Sequence, residues 1–237
     1  MWTRTLFHLP RASDRLLCRL VVAVARRQIT SIFGLENIAC DRDPFIAVCN
    51  HNHRLDAVVV PTTLIFFRDG KKVHFIADWP ILTIPGAGLL LRRGGAIVSP
   101  HKRAKLAAAN RFKAQLTRNA APLEQATAHL EAGRSVGVFP EGIMNRNPNR
   151  LLKANHGAAL LSLRTGVPVV PIGIRFPNHD PDCAINDLAR MSVHIGAPMT
   201  PPQSTTDSSI EDVRHWHDTV MLAISRLSGK RLHTEEK

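Results

Sequence analysis

Along the first 26 residues, apolar and charged positions alternate with the period of a helix. Set out at about 100° per residue, Leu16, Leu17, Leu20, Val21 and Val24 fall on one side, and Arg4, Arg11, Arg15, Arg19 and Arg26 on the other. Pro10 starts or kinks this helix, and Val22 interrupts the basic stripe. Beyond it, short β-rich runs at 45–49, 73–77, 96–99, 135–140, 167–174 and 191–195 alternate with helical patterns. The helices are expected around 54–67, 102–118, 123–132, 154–165 and 209–227, with a loop at 197–209 before the last. Alternation of this kind predicts an α/β fold: a single layered domain with a largely parallel central sheet flanked by helices, plus the N-terminal amphipathic helix. Residues 1–34 are expected to form the N-terminal segment and 35–237 the layered domain.

Charge changes the picture of the partners. The 237 residues carry a formal net charge of +12, which attracts polyanions or anionic lipid surfaces. Nucleic acid is not an expected partner, because tyrosine is absent, aromatic residues make up 5% and no zinc-finger spacing occurs. A helix with a basic stripe against an apolar one fits an anionic membrane interface, and equally a docking helix whose solvated face is basic. The apolar runs at 16–25 and 57–67 are broken by Arg19 and Pro61, and none reaches the roughly 18 to 20 residues of a membrane span. No small-residue cleavage site follows the first run, so secretion is not expected. Cys18, Cys40, Cys49 and Cys183 are widely spaced and read as reduced thiols.

Ligands of α/β folds bind at the carboxyl ends of strands, where "FIAVCNHNHRLDAVVVP" (45–61) and "FPEGIMNR" (139–146) both sit. His53 and Asp56 are i and i+3, hence neighbours on a helix, whereas His51 and Asp56 stand about 140° apart. Spacing alone selects His53. If the helix begins near Asn52 or His53, the ring of His51 folds back toward Asp56; the carboxylate then holds one imidazole nitrogen and leaves the other to take a proton. Two other readings stand beside this one. His51, His53 and Asp56 form part of a metal-ligand set, as in a metal-dependent hydrolase, although Ala57 occupies the last histidine place of H-x-H-x-D-H. Alternatively, Asn50 and His53 cap the helix and His51 is an ordinary surface residue. Pro140-Glu141-Gly142 by itself reads as a strand-ending turn.

The blocks also occur in a family order. Asn50-His51 with Asp56, Phe139 to Gly142, Lys153 and Gly157, then "VPVVPIGI" follow one another as in the glycerolipid acyltransferase superfamily, and roughly residues 35 to 200 resemble its lysophosphatidic acid acyltransferase (PlsC-type) branch. The resemblance implies that His51 is the catalytic base, Asp56 its orienting carboxylate, and His53 a bystander at the family's usual serine place. It further implies that Phe139, Pro140, Glu141, Gly142 and Arg146 bind substrate, with Glu141 facing the acceptor. The implied reaction carries a fatty acyl group from acyl-CoA or acyl carrier protein to the hydroxyl of a lyso-glycerophospholipid. It belongs to phospholipid biosynthesis or remodelling and needs no metal and no cofactor beyond the donor. The implied location is the cytoplasmic face of a membrane, as a peripheral or monotopic protein.

Two departures concern the acceptor. Met144 and Pro100 stand where the phosphate-acceptor branch carries arginines, and a methionine cannot grip phosphate as a guanidinium does. Arg146, Lys102 and Arg103 are the nearest replacements, and Arg92 and Arg93 are further candidates for phosphate or for the carrier's anionic face. A lyso-lipid with a non-phosphate headgroup, such as an amino acid, is therefore an alternative acceptor. Outside this chemistry stand the metal-dependent hydrolase and a non-enzymatic polyanion-binding protein.

Overall fold

The computed structural model describes residues 4–102, 110–111, 113–117, 121–202 and 209–233. Its seven strands are β1 (Ile29–Phe33), β2 (Ile46–Cys49), β3 (His74–Asp78), β4 (Ile97–Ser99), β5 (Val136–Val138), β6 (Val169–Arg175) and β7 (Met191–Ile195). They lie in the order β1-β7-β6-β2-β5-β3-β4, every neighbouring pair parallel except β6 with β7. The expected largely parallel sheet is what forms.

Alternation within β2 explains the layers. Ile46 and Val48 point into a core shared with α5 (Pro122–Glu131), α6 (Gly157–Thr165) and α7 (Ile210–Ser228). Ala47 and Cys49 point the other way, into a core shared with α2 (Asp56–Phe67). Both faces of the strand are thus buried, as a parallel sheet requires. Burial in the second core raises the pKa of the Cys49 thiol far above its ordinary value, helped by the nearby Asp56 carboxylate, so Cys49 packs as an apolar residue. Packing of α7 on β6 is close: a Cβ at Gly173 would lie 2.2 Å from the carbonyl carbon of Leu227. A capping box starts α7, with Asp212 N–H donating to Ser209 Oγ at 3.1 Å and Ser209 N–H to Asp212 Oδ2 at 2.9 Å.

Two elements differ from the expectation. β1 pairs with β7 inside the 1–34 stretch, so the sheet begins before the expected domain boundary. A short edge strand directly after a long amphipathic helix gives only a weak period-2 signal. The eight-residue α3 (Ala87–Gly94) was hidden between glycines in "GAGLLLRRGG". The helix expected at 102–118 falls largely outside the described residues, which contain α4 (Lys113–Leu116).

The N-terminal helix is α1 (Ala12–Ala25), and it rests on α2 through the strip between its two predicted faces. Asp14, Cys18, Val22 and Ala25 are buried there, which explains the valine inside the basic stripe. Leu16, Leu20 and Val24 stay exposed along the opposite side. Arg93 donates to the Asp14 carboxylate and to Ser13 Oγ at 3.3 Å, while Arg92 donates to Leu82 O at 3.1 Å. Both arginines that were candidates for phosphate or carrier are engaged in holding α3 to its neighbours. Among the described residues, no helix is long and apolar enough to cross a membrane.

Candidate active site

β2 ends at Cys49, and the next six residues turn back into α2 at the carboxyl edge of the sheet. Asn50 does not cap the helix. Its amide extends the strand, accepting from Ile174 N–H at 2.7 Å and donating to Ile174 O at 3.2 Å. Asp56 closes the turn from the other end: Oδ2 accepts the N–H groups of Asn52 at 2.6 Å and His53 at 3.0 Å.

Both histidines approach that carboxylate. His51 Nδ1 lies 3.5 Å from Asp56 Oδ2, and His53 Nδ1 lies 3.2 Å from Oδ1. Neither pair is aligned as a hydrogen bond; His51 Nδ1, both ring nitrogens of His53 and Asp56 Oδ1 all lack one. Exposure separates the two rings. The His51 side chain is 14% exposed, and those of His53 and Asp56 are 0% exposed. With Nδ1 turned to the carboxylate, His51 alone presents its other nitrogen to a ligand, whereas His53 is enclosed with its ring edge-on to Phe176 at 5.7 Å. The i,i+3 spacing therefore found a true neighbour of Asp56 that is closed off from solvent.

The 139–146 turn comes to the same place. Phe139 packs against His51 with the rings tilted by 33° and their centroids 4.7 Å apart. Pro140 O accepts from Asn155 N–H at 2.8 Å, and Gly142 takes the left-handed backbone, φ +66°, that ends the turn. Glu141 departs from its expected orientation toward the acceptor: its carboxylate is buried and faces inward. Oε1 accepts His51 N–H at 3.0 Å, and Oε2 accepts Asn145 Nδ2 at 2.7 Å and Leu152 N–H at 2.9 Å. Asn145 N–H in turn donates to His51 O at 2.7 Å, so the main chain of His51 is clamped on both sides. Sequence reasoning missed Asn145, because nothing in "GIMNR" distinguishes a buried strut from a loop asparagine.

The candidate cations are already paired. Arg146 bonds Asp187 Oδ1 and Ile185 O, both at 2.7 Å, and Asp187 also accepts Arg54 N–H at 3.2 Å. Lys102 pairs with Asp78 Oδ2 at 2.6 Å and donates to Gly142 O, while Arg103 lies outside the described residues. Met144 is 40% exposed beside Ile143, giving the turn an apolar lip. Among the described residues, no group of three or more His, Cys, Asp or Glu side chains converges as a metal-binding set.

An apolar crevice opens between α2 and α3, one residue along from Asp56. Ala57, Val58, Pro61, Ile65, Leu90 and Gly94 line it. It continues between the same helices and α1, past Leu9, Leu17 and Cys18.

The sequence model of the acyltransferase family matches residues 30–175, from β1 to the end of β6, enclosing the whole cluster. The chain belongs to the acyltransferase family. A chloroplastic 1-acyl-sn-glycerol-3-phosphate acyltransferase, BAT2, of Brassica napus is 32% identical over 143 residues, covering 60% of this chain and 36% of that protein. The matched stretch is thus about a third of the length of that relative. The crystal structure of the 1-acyl-sn-glycerophosphate acyltransferase PlsC from Thermotoga maritima superposes with a TM-score of 0.58 at 20% identity, over 95% of this chain and 86% of that one. At that identity the likeness is one of fold. For this acyltransferase, the matched region leaves out β7, α7 and the residues after α7.

Proposed function

We propose that this acyltransferase moves a fatty acyl group from an acyl thioester, acyl-CoA or acyl carrier protein, to the hydroxyl of a lyso-glycerophospholipid. The observation that carries the reading is the partly exposed His51, backed by the buried Asp56 carboxylate at a strand end. In the reaction, the hydroxyl proton passes to His51 Nε2 as the oxygen attacks the thioester carbonyl carbon. Asp56 stabilises the imidazolium; the tetrahedral centre then collapses, the carbon–sulfur bond breaks, and His51 returns the proton to the departing thiolate. No electron transfer and no cofactor enter this balance. The crevice beside Asp56 suits the acyl chain, being apolar and beginning next to the catalytic turn.

The pairing of Arg146 with Asp187 and the methionine at 144 favour a second reading of the acceptor, one with an amino-acid or other non-phosphate headgroup. Incubation of the purified protein with labelled acyl-CoA and a panel of lyso-lipids, with products identified by mass, tests both. Acylated product from some member of the panel is expected; thioester hydrolysis that is abolished by chelator would instead favour the metal-dependent hydrolase. Lysophosphatidic acid as the best acceptor would remove the second reading.

Chain length gives a sharper test. A Cβ at Gly94 has Ile65 Cδ1 at 3.9 Å as its nearest neighbour, so a larger residue grows into the crevice without a backbone clash. Gly94→Leu is expected to lower the long-chain to short-chain ratio of donor kcat/KM at least about tenfold, the scale of a few methylenes in an apolar pocket. An unchanged ratio would remove the crevice as the acyl site.

The exposed Leu16, Leu20 and Val24 stripe, with the net charge of +12, supports a peripheral place on an anionic membrane surface. Replacing all three by serine is expected to weaken sedimentation with anionic vesicles at least about tenfold, from the lost apolar burial. Unaltered binding would assign α1 a docking role alone.

A further inference from the structure

α7 ends at Gly229, whose left-handed backbone, φ +74°, turns the chain back toward the catalytic loops. Lys230 follows and is 3% exposed. Its ammonium donates to Asn147 O at 2.7 Å and to the side-chain oxygen of Asn52, 178 positions earlier in the chain. Arg231 stitches the same tail to the loop after the Pro-Glu-Gly turn: its N–H donates to Asn149 O, and its carbonyl accepts Leu151 N–H, both at 2.8 Å. A relay of contacts results. Lys230 holds Asn52, the N–H of Asn52 holds Asp56 Oδ2, and that oxygen is the one His51 Nδ1 approaches.

We propose that Lys230 is a positioning residue for acyl transfer, its ammonium fixing the Asn52 turn and balancing the Asp56 and Glu141 carboxylates so that His51 is not held in its protonated form. This rests on the reading of His51 as the base. A general base must start without its proton, and the Lys230 ammonium is the cation set against the two buried carboxylates, Asp56 and Glu141, of this chamber. A neutral amide would satisfy Asn147 and Asn52 as donors at less cost than a buried charge, so the charge itself calls for a function. Burial lowers the Lys230 pKa to about 8, while Glu141 and Asp56 act in the opposite direction and retain the cation near neutrality. Among the described residues, the ionisable groups facing this chamber are Cys49, His51, His53 and Asp56 from β2, the turn and α2, Glu141 from the turn after β5, and Lys230 itself; at the rim Arg146 and Arg54 face Asp187.

The test is the pH profile of kcat/KM between pH 5 and 10 for the full chain, K230M and K230R, with acyl-CoA and the best lyso-lipid of the panel. K230M is expected to lose about tenfold at pH 7, the scale of a misplaced catalytic group. Its acid limb should move upward by about half a unit or more, as the carboxylates go unbalanced. The loss shrinks above pH 8, where the native lysine also gives up its charge, and K230R keeps the native limb. Should K230M fail to fold, K230Q, which retains a donor without the charge, reads the same limb. A loss of equal factor at every pH, with the acid limb unmoved, would overturn the proposal and leave Lys230 a strut. His51→Ala run alongside separates the two readings, since an active His51→Ala defeats the assignment of the base whatever Lys230 does.

Discussion

His51→Ala is expected to lower the initial rate of acyl transfer by at least about 10²-fold, the usual contribution of a positioned general base. Removal of the ring leaves the turn intact, because the main chain of His51 is held by Glu141 and Asn145 independently of its side chain. Thermal unfolding should therefore change little while turnover collapses. His53→Ala should do the reverse. That ring is fully enclosed against Phe176 and Asp56, so its loss opens a cavity and costs stability, with a much smaller effect on rate per folded molecule. Equal losses of turnover from the two substitutions, at equal stability, would return the base to an open question between the rings.

Asp56→Asn carries the second large effect, a fall in kcat of about 10² to 10⁴-fold. Shape is conserved but the charge that stabilises the imidazolium is gone. The amide also cannot accept both backbone N–H groups and face His51 as a carboxylate does, so the turn loosens as well. Steady-state kinetics check the point: kcat should fall with the KM for the lyso-lipid nearly unchanged, because Asp56 is fully buried. A variant that keeps a third or more of native kcat would defeat the pairing.

Much of this architecture was legible from the pattern of the chain. Six of the strands and α2, α5, α6 and α7 follow from apolar runs broken by polar turns, since each element buries enough side chains to imprint its own period. β1 escaped because an edge strand buries little, and α3 because eight residues between glycines give too short a window. At the site, the motifs located His51, Asp56 and the 139–146 turn, which the fold brings together. Spacing alone selects His53, yet both rings reach Asp56 and only burial distinguishes them. Spacing could not orient Glu141 either: its bonds to His51, Asn145 and Leu152 depend on how two loops meet, and no local pattern records that. Lys230 was hidden for the same reason, lying 178 positions from the asparagine it holds.

That separation has a consequence for how the protein comes into being. During synthesis from the amino terminus, β2, α2 and the histidine-bearing turn emerge early, yet the bonds that complete the turn wait for Lys230 and Arg231. Closing so long a loop is a late and slow event in folding. The nascent chain therefore carries His51 and Asp56 long before the bonds that brace their turn can form, and those bonds arrive only with the tail that follows α7.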